Sequence, residues 1–286
     1  MSTLSPKTLK TPPPRHEAHL LLSYPRPHIL LLTLNRPKEL NSLSRALRID
    51  IGHVLDWFET EPDLWILIVT GAGRVFCAGG DLKPWTEDVM AGTAEGVGRV
   101  FKARQGIGSM SRRQSSKPWI AAVNGNGAFG GGAEALLNFD LVVASEKALF
   151  GFPEPQIGVV AAASGLERLV RAVGRQLAAE LLLTGKSISA VEARDRFGFV
   201  NLVVPVDEVV PRAITLAESI LENSPDAIRS TKRALSDSYL YGNIEEASRA
   251  HVISPESLAV FSGDNIKEGL AAYVEGRRPN WSNPKL

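Results

Sequence analysis

Short apolar runs closed by turn residues alternate with longer stretches of helical spacing over the first two hundred residues. Ile29–Leu34 ends at Asn35-Arg36-Pro37, and the run over 64–69 ends at Thr70-Gly71-Ala72-Gly73. Both read as buried strands, as do Trp119–Val123, 141–144 and Leu202–Val204. Between the first two, Ser44 opens a predicted helix whose Leu47, Ile51, Val54, Leu55 and Phe58 fall on one face. Further helices fit 166–172, 176–183 and 190–197. This alternation is the signature of an α/β core with crossover connections. From about Glu208 the pattern changes: Val210, Ile214, Ala217 and Leu221 begin helical segments that continue to Glu275 without a convincing strand. Those helices need something to cover, and their own core and a neighbouring subunit both remain open. The expected division is a disordered tail over 1–17, an α/β core over 18–207 and a helical region over 208–286.

The tail expectation rests on Pro12-Pro13-Pro14, with Lys7, Lys10 and Arg15 and no acid before Glu17. Elsewhere the 286 residues are 44% apolar and 22% charged, an ordinary globular composition. Thirty-two basic residues against thirty-one acidic give a net charge of +1, which provides no field to attract nucleic acid or anionic lipid. Small molecules or further copies of the chain are the expected partners. Cys77 is the single cysteine, so neither an internal disulfide nor a zinc cluster is expected, and a reducing compartment fits. No apolar run approaches the roughly 20 residues that span a bilayer, and no secretion signal opens the chain. Pro284-Lys285-Leu286 is similar to a Ser-Lys-Leu peroxisomal address with its first position altered. The expected location is therefore cytoplasmic or peroxisomal, with the basic N-terminus leaving a mitochondrial one open.

Candidate chemistry centres on Glu134 and Glu154, each just after a glycine-bearing turn, in GAFGGGAE and LFGFPE. Carboxylates among apolar neighbours have raised pKa values, which makes a pair of them a candidate acid/base couple. The segment Gly125-Asn126-Gly127-Ala128-Phe129-Gly130 formally matches the GxGxxG dinucleotide fingerprint. That fingerprint needs a long following helix, whereas only 133–139 separate these glycines from the next strand. Gly130-Gly131-Gly132 instead allows close backbone approach and aims N–H groups at a negative oxygen. Ala78-Gly79-Gly80-Asp81 forms a second such turn. One N–H from each turn would make an oxyanion hole. Asp81 is also placed to cap the helix that starts near Leu82. Asp140 reads as structural, and Trp57, Trp65, Trp119 and Cys77 as core.

Taken together, Leu34-Asn35-Arg36-Pro37-Lys38-Glu39-Leu40-Asn41, the run from Thr70-Gly71-Ala72-Gly73 through Cys77-Ala78-Gly79-Gly80-Asp81-Leu82, then Ala122-Val123-Asn124-Gly125, Gly130-Gly131-Gly132 and Phe150-Gly151-Phe152-Pro153-Glu154 strongly resemble the enoyl-CoA hydratase/isomerase, or crotonase, family. The likeness runs from about residue 18 to Trp281. It implies an α/β fold built as a spiral of β-β-α repeats, a C-terminal helical region that trimerises, often as a dimer of trimers, and an acyl-CoA thioester as substrate. It implies that the amides of Gly80 and Gly131 hold the thioester oxygen and that Glu134 and Glu154 are the catalytic carboxylates. Glu134 would activate water and Glu154 would protonate C2. Lys38, Ala78, Asp81 and Leu82 are the expected substrate-binding residues, with Lys267, Arg277 and Arg278 as further candidates for the CoA phosphates. No metal or redox cofactor is expected, coenzyme A being part of the substrate.

Keeping both glutamates favours a hydratase over an isomerase, and another reaction of the family that uses the same oxyanion hole, by an isomerase, hydrolase or lyase, stays as the alternative. Their presence also argues against a non-catalytic acyl-CoA-binding or RNA-binding relative. One departure bears on the substrate. Where the family's hydratases continue toward a Pro-Gly-x-Gly-Gly turn, this chain has Val160-Ala161-Ala162-Ala163-Ser164-Gly165, with a different backbone freedom beside the second carboxylate.

Overall fold

A computed structural model describes residues 9–92 and 104–284. Its main sheet orders six strands as β1 (Leu20–Arg26), β2 (Ile29–Leu34), β3 (Ile66–Gly71), β4 (Trp119–Val123), β6 (Leu141–Ser145) and β9 (Leu202–Val204). Only the β1–β2 hairpin of this sheet is antiparallel; the later neighbours are parallel, with crossovers between them. A second sheet of three short strands joins β5 (Gly127–Phe129), β7 (Leu149–Gly151) and β8 (Ser187–Ser189). Isolated bridges tie Val75 to Gly125 and Cys77 to Ala128, so the stretch after β3 runs beside β5.

The chain therefore repeats one motion. A long strand in the main sheet is followed by a short stretch at the small sheet and then a helix. After β3 comes the stretch through Cys77 and then α2 (Leu82–Met90); after β4 come β5 and α3 (Gly131–Leu136); after β6 come β7 and, beyond a short 3-10 turn, α4 (Gly165–Val173). Equivalent points of successive turns stack. The glycine turns and Glu154 all lie just after a small-sheet stretch, which is why motifs far apart in sequence meet.

Two apolar layers hold the main sheet. On one face, Leu30, Leu32, Leu67, Val69 and Ala121 pack with Leu47, Ile51, Val54 and Phe58 of α1 (Arg45–Thr60), in the cluster that also holds Trp119. Ser44 caps α1, its side chain accepting the Leu47 N–H, as its position predicts. On the other face, Ile66, Ile68, Ile120 and Val143 meet Val209, Ala213 and Ala217 of α7 (Val209–Leu221). Alternate residues of a strand face opposite sides, so strands covered on both faces carry continuous apolar runs. Between these parts lie α5 (Arg175–Thr184) and α6 (Ala190–Asp195).

Two expectations need correction. α7 is a layer of the core rather than part of a separate helical region, because its small-residue face closes the second side of the sheet. Residues 9–17 do not hang free as a tail. The amides of Lys10 and Thr11 and the Thr11 hydroxyl donate to the Glu61 carboxylate, while Trp57 Nε1 donates to Thr11 Oγ1 at 2.9 Å. Glu61 is fully buried, so the segment supplies donors that the carboxylate requires. The rest of the expected tail, residues 1–8, lies outside the described residues, as do Lys285 and Leu286 of the C-terminal address.

The remaining helices are α8 (Pro225–Leu240), α9 (Ile244–Val252), α10 (Pro255–Ser262) and α11 (Asn265–Glu275). They leave large apolar side chains in solvent, among them Ile244, Phe261, Tyr273 and Val274, each at least 75% exposed. Among the described residues, no helix is long and apolar enough to cross a membrane.

Candidate active site

Gly80 precedes α2, and Gly131 is the first residue of α3. A Cβ placed on Gly131 would stand 3.5 Å from the Gly80 nitrogen, so the two amides are neighbours. Neither donates to a backbone carbonyl among the described residues. The turn is held by its surroundings: Phe129 N–H donates to Cys77 O at 3.0 Å and Ala78 N–H to Leu40 O at 3.0 Å. Gly132 admits no side chain, because a Cβ there would lie 2.6 Å from the Cys77 carbonyl oxygen. Two fixed, uncommitted donors side by side form the geometry that stabilises a developing oxyanion.

These amides face a cavity of about 860 Å³ whose lining includes Gly80, Gly131, Glu134 and Glu154. Glu134 is 3% exposed and projects from α3; its Oε2 accepts the Gly165 N–H at 2.9 Å. Burial pushes its pKa up to about 7; the Gly165 amide opposes the shift and the charge of Glu154 adds to it. Glu154 opens the 3-10 turn after β7 and is 9% exposed. Its Oε1 lies 3.1 Å from where a Cβ on Gly130 would stand, and its buried Oε2 has no hydrogen-bond partner among the described residues. Burial raises its pKa as well. A carboxyl oxygen left without a donor in a cavity is poised to exchange a proton with whatever fills it.

The altered loop keeps the feature that matters to Glu134. Gly165 is its last residue, and a Cβ there would stand 2.5 Å from Glu134 Cγ, so only glycine lets the amide reach the carboxylate. Ser164 takes a left-handed conformation at φ 87°. Ser111 Oγ donates to Ala163 O, Arg112 Nε donates to Ser164 Oγ at 3.0 Å, and Arg112 Nη2 donates to Ala162 O at 2.7 Å. Side chains thus fasten a loop whose backbone lacks the extra proline and glycines.

The other expected site residues divide. Ala78, Asp81 and Leu82 line the cavity, whereas Lys38 is exposed on a separate turn and does not. Asp81 occupies the N-cap position of α2 without making a capping bond; it pairs with Arg36 Nη2 at 3.3 Å instead. Lys267 and Arg277 lie at α11, paired with Asp264 and with Glu268 and Glu275, away from this cavity. Asp140 is structural as expected, accepting from Trp119 N–H at 2.7 Å and Lys232 Nζ at 2.8 Å. Cys77 is buried with its thiol pushed up to about 12 by desolvation, which leaves it as packing. Gly125 and Gly127 belong to backbone contacts with Arg74 and Leu149, and α3 spans six residues, so the dinucleotide fingerprint is a coincidence of packing.

Two further positions matter that the sequence did not single out as site residues. Asn41 is buried, donating to Ala72 O at 2.9 Å and Val75 O at 2.7 Å, and so braces the approach to the first glycine turn. Arg48 lines the cavity from α1. An arginine in a helix otherwise read only for its apolar stripe was the available signal.

The enoyl-CoA hydratase/isomerase family model matches residues 26–284. The chain is 45% identical over 93% of its length to mevalonyl-coenzyme A hydratase sidH of Aspergillus fumigatus, covering 96% of that protein. It is 35% identical to 2,3-dehydroadipyl-CoA hydratase of Escherichia coli, covering 88% of this chain and 94% of that one. The crystal structure of enoyl-CoA hydratase from Bacillus anthracis superposes with a TM-score of 0.83 at 33% identity, covering 92% of this chain and 98% of the other. With the family model spanning residues 26–284 and these relatives covered over nearly their whole length, the chain belongs to the enoyl-CoA hydratase/isomerase family.

Proposed function

We infer that the protein is a CoA-thioester hydratase that adds water across the C2=C3 bond of an α,β-unsaturated acyl-CoA, or removes it in the reverse direction. The observation that carries this reading is the placement of two buried carboxyls in the same cavity as two uncommitted amides. Attack of water on C3 pushes electron density onto the thioester oxygen, and the Gly80 and Gly131 N–H groups stabilise that charge. Losing one such donor costs about 3 kcal/mol of barrier.

Glu134 takes the proton from water as its oxygen bonds to C3. Its pKa near 7 makes it a base matched to neutral solution, and the Gly165 amide fixes its orientation. Glu154, raised by burial and lacking a donor to its Oε2, delivers a proton to C2. Water loses one proton to Glu134 and Glu154 loses one to C2, so the pair still holds a single proton, now on Glu134. Its transfer to Glu154 through solvent after product forms resets the site. The chemistry uses only these carboxyls and amides, and we propose that no cofactor is required beyond the coenzyme A of the substrate.

The relatives' names agree on CoA-thioester hydration and differ in the acyl group, naming mevalonyl and 2,3-dehydroadipyl thioesters. Reaction in ¹⁸O-water tests the assignment. Hydration places one heavy oxygen in a 3-hydroxyacyl-CoA with its thioester intact; release of free coenzyme A, or a shifted double bond without label, contradicts it.

Exposed apolar residues on the C-terminal helices, such as Tyr273 and Val274, support association of copies through that region, and we propose the trimer or dimer of trimers that the family resemblance implies. Sedimentation should give three or six times 30.9 kDa; a monomer mass contradicts this.

A further inference from the structure

Arg48 is a half-buried cation on the cavity wall for which the described residues provide no counter-ion. Its Nε is shut off from solvent and has no hydrogen-bond partner among them. Asp56, the acid two turns further along the same wall, is engaged by Arg113 Nη1 at 2.7 Å. The charged side chain one turn back is another cation, Arg45; burial first, and then Arg45, push the Arg48 pKa down. His53 is the remaining titratable group that α1 presents to this wall. Holding a partly desolvated guanidinium beside a like charge is unfavourable unless a ligand supplies the missing acceptor.

The position of this cation selects among ligands. The Arg48 carbonyl accepts from Ser109 Oγ at 3.0 Å. Ser109 is two residues from Ile107, whose Cδ1 lies 3.8 Å from the place of a Cβ on Gly80 and closer still to that on Gly131. The wall that carries Arg48 is thus continuous with the one behind the oxyanion donors. The phosphates of coenzyme A are separated from the thioester by the whole pantetheine arm, whereas the acyl group begins at the thioester itself.

We propose that Arg48 is a specificity-determining residue that hydrogen-bonds an oxygen acceptor on the distal part of the acyl group, a hydroxyl or a carboxylate. This rests on the hydratase reading above and gives it a substrate class: short acyl thioesters ending in oxygen rather than plain fatty ones. A site built to bond a substrate oxygen discriminates strongly against the analogue that lacks it, because the buried group is then left unsatisfied.

The test uses the full chain with crotonyl-CoA, 5-hydroxy-3-methylpent-2-enoyl-CoA and 2,3-dehydroadipyl-CoA, for the native protein and for Arg48→Leu and Arg48→Lys. Inhibition by free coenzyme A is measured alongside. The native protein should prefer one of the oxygen-ended thioesters to crotonyl-CoA in kcat/KM, and which one it prefers identifies hydroxyl or carboxylate. In Arg48→Leu that ratio should fall about 10- to 100-fold, the loss expected for one hydrogen bond to a charged group. Arg48→Lys should recover part of it, and inhibition by coenzyme A should change little. An unchanged ratio, a native preference for crotonyl-CoA, or an equal loss on all three thioesters with weaker coenzyme A inhibition overturns the proposal. A native protein that hydrates none of the three overturns the hydratase reading itself, and this inference with it.

Discussion

Gly165 donates its amide to Glu134 Oε2 at 2.9 Å, and its missing side chain is what permits the contact, since a Cβ would stand 2.5 Å from Glu134 Cγ. The proposed water-activating base is thus aimed by a residue from the next turn of the spiral. In Gly165→Ala the carboxylate must move, and displacement of a catalytic group by a fraction of an ångström lowers rate more than binding. We expect kcat to fall about 10- to 100-fold with KM changed little. Steady-state kinetics on an enoyl-CoA substrate checks this, and native kcat in the variant contradicts it.

The elevated pKa of Glu134 has two consequences of opposite kind. Activity that needs its ionised form should rise as pH increases through about 7. Stability should move the other way. The folded-state pKa of about 7 exceeds the ordinary 4.5, so between these values the folded protein binds more protons than the unfolded one, and stability falls as pH rises through that window. A shift of that size corresponds to about 3 kcal/mol at most. Glu134→Gln should therefore be about 1–3 kcal/mol more stable than native at pH 8 and nearly equal at pH 4.5, as urea unfolding at the two pH values would show. Equal stability at pH 8 counts against a strained carboxylate.

How far the sequence foretold this arrangement follows from what each signal measures. Buried strands and the amphipathic α1 were legible because burial writes itself into apolar periodicity; Leu47, Ile51, Val54 and Phe58 do face the core. The short strands β5, β7 and β8 were not, since three residues carry no period. The paired turns at Gly80 and Gly131 could be named because few residue types satisfy a close backbone approach. Gly165 was visible only as the end of an altered loop, because its role depends on a carboxylate 31 residues away. Arg36 draws Asp81 from its expected cap by a contact spanning 45 residues, which local capping rules do not contain.

The N-terminal segment offers a test of that non-local kind. Removing residues 1–11 strips Glu61 of the amides of Lys10 and Thr11 and of the Thr11 hydroxyl, and Trp57 Nε1 of its acceptors. A fully buried carboxylate short of its donors should cost about 2–4 kcal/mol of stability while leaving kcat near native at low temperature, since the cavity lining is untouched. Thermal unfolding checks this. An unshifted midpoint would mean the segment contributes nothing.

The central claim, that two carboxyls and two amides act on one thioester, is tested most directly by the loss of conjugated enoyl-thioester absorbance with crotonyl-CoA in the native protein, Glu134→Gln and Glu154→Gln. The native protein should consume the substrate, and each glutamine variant should be slower by about 10²- to 10⁴-fold, the usual worth of a positioned acid or base. Equal rates in all three, or no reaction with the native chain, contradict the account.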